Sequence, residues 1–313
     1  MPTYKILITD GLDERGQSIL RASAQVDEKK GLSEAEMISL IAGYDGLIVR
    51  GQTRVTAPIL EAASTLKVVG RAGVGVDNID LEAAKKRGIA VVNAPTSTTV
   101  AVAELALGLL LAAAREIPRA DASMKQGNWL KKEFEGVELN GKTLGVIGYG
   151  RIGTEVGRRA AAFGMNVMVY DPNVTEEELA HGDAEPVSLQ DLFAWSDFIS
   201  LHLPLNVQTR DLIGQSEFAQ MKDGVRIIST ARGGIIDESA LLDALNKGKV
   251  ACAALDVFGK EPPGLTDLVS HPRVIATPHM GAQTSEAQTR AAEDIASEVL
   301  AALRMKPLRW RVA

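Results

Sequence analysis

Short aliphatic, β-branched runs alternate with helical patterns along nearly the whole chain. That rhythm constrains the fold more than any other feature. In the first hundred residues the strand candidates are YKILIT (4–9), GLIVRG (46–51), LKVVGR (66–71) and IAVVNA (89–94). Helical stretches such as SEAEMISLIA (33–42) and LEAAKKRG (81–88) lie between them. A second series reads TLGVIG, NVMVYD, FISLHLP, VRIIST, VACAALDV and RVIATP, with helical SLQDLFAWS and DESALLDALNKG among them. Strands separated by helices imply βαβ units and parallel sheets, hence an α/β fold.

At 313 residues the chain has room for two domains. A boundary is expected near residue 97, where the turn and capping residues of NAPTSTT precede a long apolar helix. A final helix near 284–303 is expected to return to the first domain. The first domain would then be 1–97 plus 284–313, and the second 98–283.

Composition narrows the function classes. The net charge is −6 without a basic cluster, which argues against a nucleic-acid partner. The apolar run VAVAELALGLLLAAA (100–114) contains Glu104 and is too short to span a bilayer, so a helix buried against protein is expected. The N-terminus becomes strand-like at once, and no signal peptide is expected. One cysteine, Cys252, excludes an intramolecular disulfide and suits a reducing cytoplasm. His271 and His279 form no helical His pair, and no metal site is expected.

In a parallel sheet, ligands bind beyond the carboxyl ends of the strands. The first strand of the second series delivers GYGRIG, so Gly148, Gly150 and Gly153 match G-x-G-x-x-G between a strand and a helix. Alone this pattern is weak; its context strengthens it. Pyrophosphate would sit at the following helix N-terminus. The second strand delivers Asp171, placed to accept from an adenosine ribose 2′-OH and to repel a 2′-phosphate. The acidic PNVTEEE (172–178) supplies no arginine for such a phosphate, so NAD is expected rather than NADP. The third delivers His202, read as structural or cofactor-lining rather than as a proton carrier. The fourth delivers Arg232, the fifth Asp256 with Glu261 beyond it, and the sixth His279.

Each of these residues has an ordinary reading, as a salt bridge, a loop carboxylate or a cap. Their convergence suggests oxidation of an alcohol: a cofactor takes the hydride and the protein takes the proton. His279 would be the acid/base. Glu261 would orient its ring and favour the charged form. Arg232 would hold a substrate carboxylate and polarise the carbonyl. In the first domain, GRAGVGVDNID has Asn78 at the third-glycine position, which argues against a second dinucleotide site. The Val74 and Gly75 N–H groups could instead cradle a carboxylate. Arg50 and Arg71 end strands and are either anchors for a second anionic group or surface ion-pair residues.

As a set, KILITDGLDERGQSIL, LKVVGRAGVGVDNIDLEAA, LNGKTLGVIGYGRIG, YDP, STARGGIIDESAL, AALDVF with EPP, and TPHMGAQTSEAQ resemble the D-isomer-specific 2-hydroxyacid dehydrogenases, essentially end to end. The phosphoglycerate branch is the nearest. The resemblance implies two doubly wound parallel-sheet domains, a Rossmann-type nucleotide-binding domain inserted in a flavodoxin-like substrate domain. It implies a catalytic set of Arg232, Glu261 and His279. It carries NAD contacts to Val74, Arg151, Ile152, Asp171, Leu203, Thr230, Ala231, Asp256, His279, Gly281 and Ala282. It implies a homodimer or homotetramer paired through the nucleotide domain and the 119–140 crossover. A partner's basic crossover residue would reach the substrate phosphate; Lys131 stands there where an arginine is common, and it keeps the charge but loses the bidentate fork. Many relatives carry C-terminal serine-binding domains. This chain ends at Ala313, and no such site is expected. Two other functions stay open: reduction of glyoxylate or hydroxypyruvate by the same machinery, and an NAD-sensing corepressor without turnover.

Overall fold

The computed structural model describes residues 4–174 and 184–313. The chain divides into two compact units, one of residues up to Thr99 together with Ala282–Ala313, the other Val100–Gly281. The first unit holds β1 (Tyr4–Ile8), β2 (Ala24–Glu28), β3 (Gly46–Val49), β4 (Val68–Arg71) and β5 (Ala90–Asn93). They pair in parallel in the order β2-β1-β3-β4-β5. This is the flavodoxin-like order.

The second unit holds β6 (Thr143–Ile147), β7 (Asn166–Tyr170), β8 (Ala184–Pro186), β9 (Phe198–Leu201), β10 (Val225–Ser229), β11 (Val250–Leu255) and β12 (Val274–Ala276). Their order is β12-β11-β10-β9-β6-β7-β8, again parallel throughout. The order reverses between β6 and β9, as in a Rossmann sheet extended by one strand.

Two strands escape sequence reasoning, β2 and β8. Both are edge strands with polar composition, AQVDE and AEP, and both are partly exposed. An edge strand is paired on one side only and needs no continuous apolar run. The acidic stretch expected after Asp171 falls, from Thr175 on, outside the described residues.

Local chemistry sets the helix ends. Ser33 and Glu36 form a reciprocal capping box. Asp80, Asp237 and Thr284 accept from backbone N–H groups at the starts of their helices. The apolar run becomes the helix Thr99–Arg115, most of whose alanines and leucines are buried, with Glu104 exposed. Among the described residues no helix is long and apolar enough to cross a membrane.

The C-terminal helix Ser285–Leu303 packs on the first sheet through Ile295, Ala296, Val299 and Leu300. Gly70 on β4 makes room for it: a Cβ there would lie 2.6 Å from Val299. Ile295 is fully buried at that seam. Ile295→Ala should destabilise the first unit by about 2–5 kcal/mol. The measurement is denaturant unfolding, and a midpoint like that of the wild type would show that the seam carries little stability.

Candidate active site

β6 runs into the turn Gly148–Gly153, which opens the helix Arg151–Ala162 with Gly150 as its N-cap. Gly148 has φ +90°, and a Cβ on it would lie 2.6 Å from the His202 carbonyl oxygen. A Cβ on Gly153 would overlap the Gly148 carbonyl. Above Gly150 there is open space. The turn is thus closed towards the protein and open towards a ligand, and helix N–H groups point at that opening. These residues fit a dinucleotide pyrophosphate.

Asp171 follows β7 and faces the same turn. Its carboxylate accepts from the Tyr149 N–H at 2.8 Å and the Asn173 N–H at 2.9 Å. The bonds fix the carboxylate beside the turn. Its remaining lone pairs can still accept from a ribose hydroxyl.

The other strand ends carry the candidate catalytic groups. The His279 ring nitrogen Nδ1 lies 2.7 Å from Glu261 Oε2. An ionised carboxylate only accepts, so Nδ1 carries the hydrogen and Nε2 is left for proton exchange. Glu261 Oε1 accepts from the Phe258 N–H at 3.1 Å. Desolvation alone would raise the Glu261 pKa. The bonds from His279 and Phe258, with the charges of His279 and Arg232, outweigh it and hold the carboxyl below its usual value. Arg232 is therefore within electrostatic reach of Glu261, and its Nη1 donates to the Ala231 carbonyl at 2.7 Å.

Backbone strain marks the same place. His279 has φ +48°, uncommon for a residue with a side chain. Buried Asp256 holds it there. Its Oδ1 accepts from the Thr277 hydroxyl at 2.6 Å and the Met280 N–H at 2.8 Å, and its Oδ2 from the Gly281 N–H at 2.9 Å. Glu238 braces the neighbouring loop by accepting from the Gly259 N–H. Sequence reasoning missed Thr277 and Glu238. Both lie inside family-like motifs, TPHMGAQTSEAQ and STARGGIIDESAL, but only the fold brings each to its acceptor or donor.

Arg232, Glu261 and His279 thus belong to the second unit, as do Arg151, Ile152, Leu203, Thr230, Ala231, Asp256 and Gly281. Arg50, Arg71, Val74, Gly75 and Ala282 belong to the first unit. There Arg50 Nη2 donates to Gln283 at 3.0 Å, and burial lowers its pKa against the pull of Asp10. Arg71 Nη1 donates to the Ala72 carbonyl at 3.3 Å, and Asn93 Nδ2 holds the Val74 carbonyl. Asn78 bonds the Arg50 and Thr53 carbonyls. No helix opens until Leu81, so the glycine pattern after β4 lacks the helix N-terminus that a dinucleotide turn needs. Lys131 lies exposed in a 3₁₀ turn, Lys131–Glu133.

The family described as D-isomer specific 2-hydroxyacid dehydrogenase, NAD binding domain, matches residues 107–281. The chain belongs to this family. Its second unit is accordingly an NAD-binding domain. The chain is 50% identical over 305 residues to a D-3-phosphoglycerate dehydrogenase of Rattus norvegicus, covering 97% of this chain and 57% of that protein. It is also 50% identical over 301 residues to a D-3-phosphoglycerate dehydrogenase of Methanocaldococcus jannaschii, covering 96% and 57%. The chain thus spans little more than half the length of these relatives. A glyoxylate reductase structure from Paecilomyes thermophila superposes with a TM-score of 0.91 at 34% identity, covering 100% of this chain and 99% of that one.

Two outcomes follow from this geometry. Asp256→Ala strands three donors, of which the Gly281 N–H is buried, and should cost about 1–3 kcal/mol in all; denaturant unfolding measures the loss, and an unchanged midpoint would contradict the bracing role. For Glu261, a folded-state pKa below the unfolded one stabilises the protein above the unfolded value. That contribution is lost as pH falls through the lower folded value. Melting temperatures of wild type and Glu261→Gln should therefore differ at neutral pH and converge only as pH falls below the lowered folded value of Glu261. Parallel profiles would show that the ion pair adds nothing.

Proposed function

We propose that the chain oxidises a D-2-hydroxyacid with NAD, and that its substrate is D-3-phosphoglycerate, converted to 3-phosphohydroxypyruvate. The observation that carries this is the 2.7 Å pairing of His279 with Glu261, within reach of the Arg232 charge. The names of the relatives at 50% identity support the substrate.

In this proposal Arg232 holds the substrate carboxylate by charge-assisted hydrogen bonds and polarises the reacting carbon–oxygen bond. His279 Nε2 takes the hydroxyl proton, while Nδ1–H stays on Glu261. The imidazolium that forms is stabilised by that carboxylate. Arg50, Arg71, Val74 and Gly75 bind the substrate's anionic groups, with Lys131 of the partner subunit serving the phosphate. NAD supplies the hydride acceptor. The turn at Gly148–Gly153 would hold its pyrophosphate, and Asp171 would favour an unphosphorylated ribose. A second reading, reduction of glyoxylate or hydroxypyruvate, draws support from the glyoxylate reductase likeness.

A homodimer or homotetramer completes the proposal. Ile117, Met124 and Trp129 expose apolar surface over the crossover, with Trp129 77% exposed. A cytoplasmic location fits Cys252, whose thiol burial pushes up to about 11.

NADH formation with D-3-phosphoglycerate, with the ketone product trapped, tests the activity. His279→Ala should lower kcat by ~10²–10⁴; a loss under about threefold would reject the acid/base role. kcat/KM should favour D-3-phosphoglycerate over unphosphorylated hydroxyacids, and equal values would remove the phosphate role of Arg50, Arg71 and Lys131. Asp171→Ala should narrow the preference for NAD over NADP, and an unchanged ratio would refute its role.

A further inference from the structure

The amino edge of the second sheet, opposite the candidate active site, carries a cavity of about 340 Å³. That volume is within the range of small-molecule sites. Its walls come from the end of the helix Thr99–Arg115, the start of the helix Ile117–Lys125, and residues near the starts of β10, β11 and β12. Cys252 on β11 lines it, and Asp256 follows the same strand four residues later. Along a strand that is a separation of about 13 Å, so a ligand here would not touch the candidate catalytic groups.

Three arginines line the cavity, Arg119, Arg226 and Arg273, against one carboxylate, Glu116. Glu116 pairs with Arg119. Neither Arg226 nor Arg273 has an ion-pair partner among the described residues. The chain as a whole is acidic, with a net charge of −6, so this excess of cations is local.

Arg226 shows most clearly what is missing. Its Nε donates to the Ala113 carbonyl at 3.3 Å and its Nη1 to the Gly224 carbonyl at 3.4 Å, and the guanidinium lies over the Phe198 ring. These contacts cap a helix end and fix the plane of the group. Both acceptors are neutral carbonyls, so they bring no counter-charge. Burial pulls the Arg226 pKa down, against the opposing pull of Cys252, Glu116 and Asp197. Asp197 is itself bonded to Lys222. A half-buried cation without a partner is costly. A carboxylate or phosphate offsets that cost and matches the guanidinium fork with paired hydrogen bonds.

The remaining walls restrict the body of the ligand. Pro118, Val274 and Ile275 offer apolar surface beside the cations. We propose that this cavity binds a compact organic anion, a phosphate monoester or a dicarboxylate, held by Arg226 and Arg273 with its carbon skeleton against the apolar wall. The site takes no part in hydride transfer. Its occupant stabilises the second unit, because it binds only where the helix ends and the three strands stand together.

Cys252 is the one cysteine of the chain, so its alkylation reports on the cavity alone. Labelling by iodoacetamide is followed by intact mass in the wild type and in Arg273→Gln, with phenyl phosphate or succinate as the probe. Arg273 is exposed, and its replacement spares the fold. Phenyl phosphate or succinate should slow labelling of the wild type and raise its melting temperature, and the one that does so gives the anion class. Arg273→Gln should raise the concentration needed for half-protection about tenfold, the loss of one charge-assisted contact. No protection by either probe would overturn the proposal. So would equal protection by chloride at matched ionic strength, or protection unchanged in Arg273→Gln. A Cys252 that reacts only after denaturation would overturn it as well, because the cavity would then be closed in solution.

Discussion

Parallel pairing of every strand in the second sheet is the constraint on which the site depends. Because all strands run the same way, all their carboxyl ends lie on one edge. Residues far apart in sequence, such as Asp171, His202, Thr230, Asp256 and His279, are thereby delivered to a common side. Helices on the faces leave that edge as the place where backbone N–H groups and side chains meet solvent or ligand.

The side chains at that edge are oriented by hydrogen bonds with backbone N–H groups and with Asp256. Asp256 accepts three donors from the 277–281 segment and pins His279 at a positive φ. Glu261 is turned by the Phe258 N–H before it meets the imidazole. The resulting pair is half-exposed, with the ring open to a reactant while its orientation is fixed from within. Two histidines on one edge thus meet opposite surroundings. His279 has a carboxylate partner, whereas His202 is buried beside a serine and stays neutral.

The first unit shows how a similar glycine pattern serves a different end. After β4 the chain does not enter a helix, and Asn78 ties the loop to the Arg50 and Thr53 carbonyls. The third glycine of a dinucleotide turn exists to let a helix approach its strand. Without that approach an asparagine is tolerated, and its amide braces the loop instead.

Sequence alone determined the α/β alternation, since central strands buried on both faces must be apolar runs and their crossovers amphipathic. It also placed GYGRIG, Asp171, Arg232, Glu261 and His279 at or just beyond strand ends, where a parallel sheet offers groups to a ligand. The edge strands β2 and β8 were not legible, because half-paired strands carry no apolar signature. Nor were the bonds of Thr277 to Asp256 and of Glu238 to the Gly259 N–H. Only the tertiary structure decided those, for a physical reason: register between strands and the burial of single polar atoms are set by packing across the sheet, and local sequence holds no record of which residue will stand alongside.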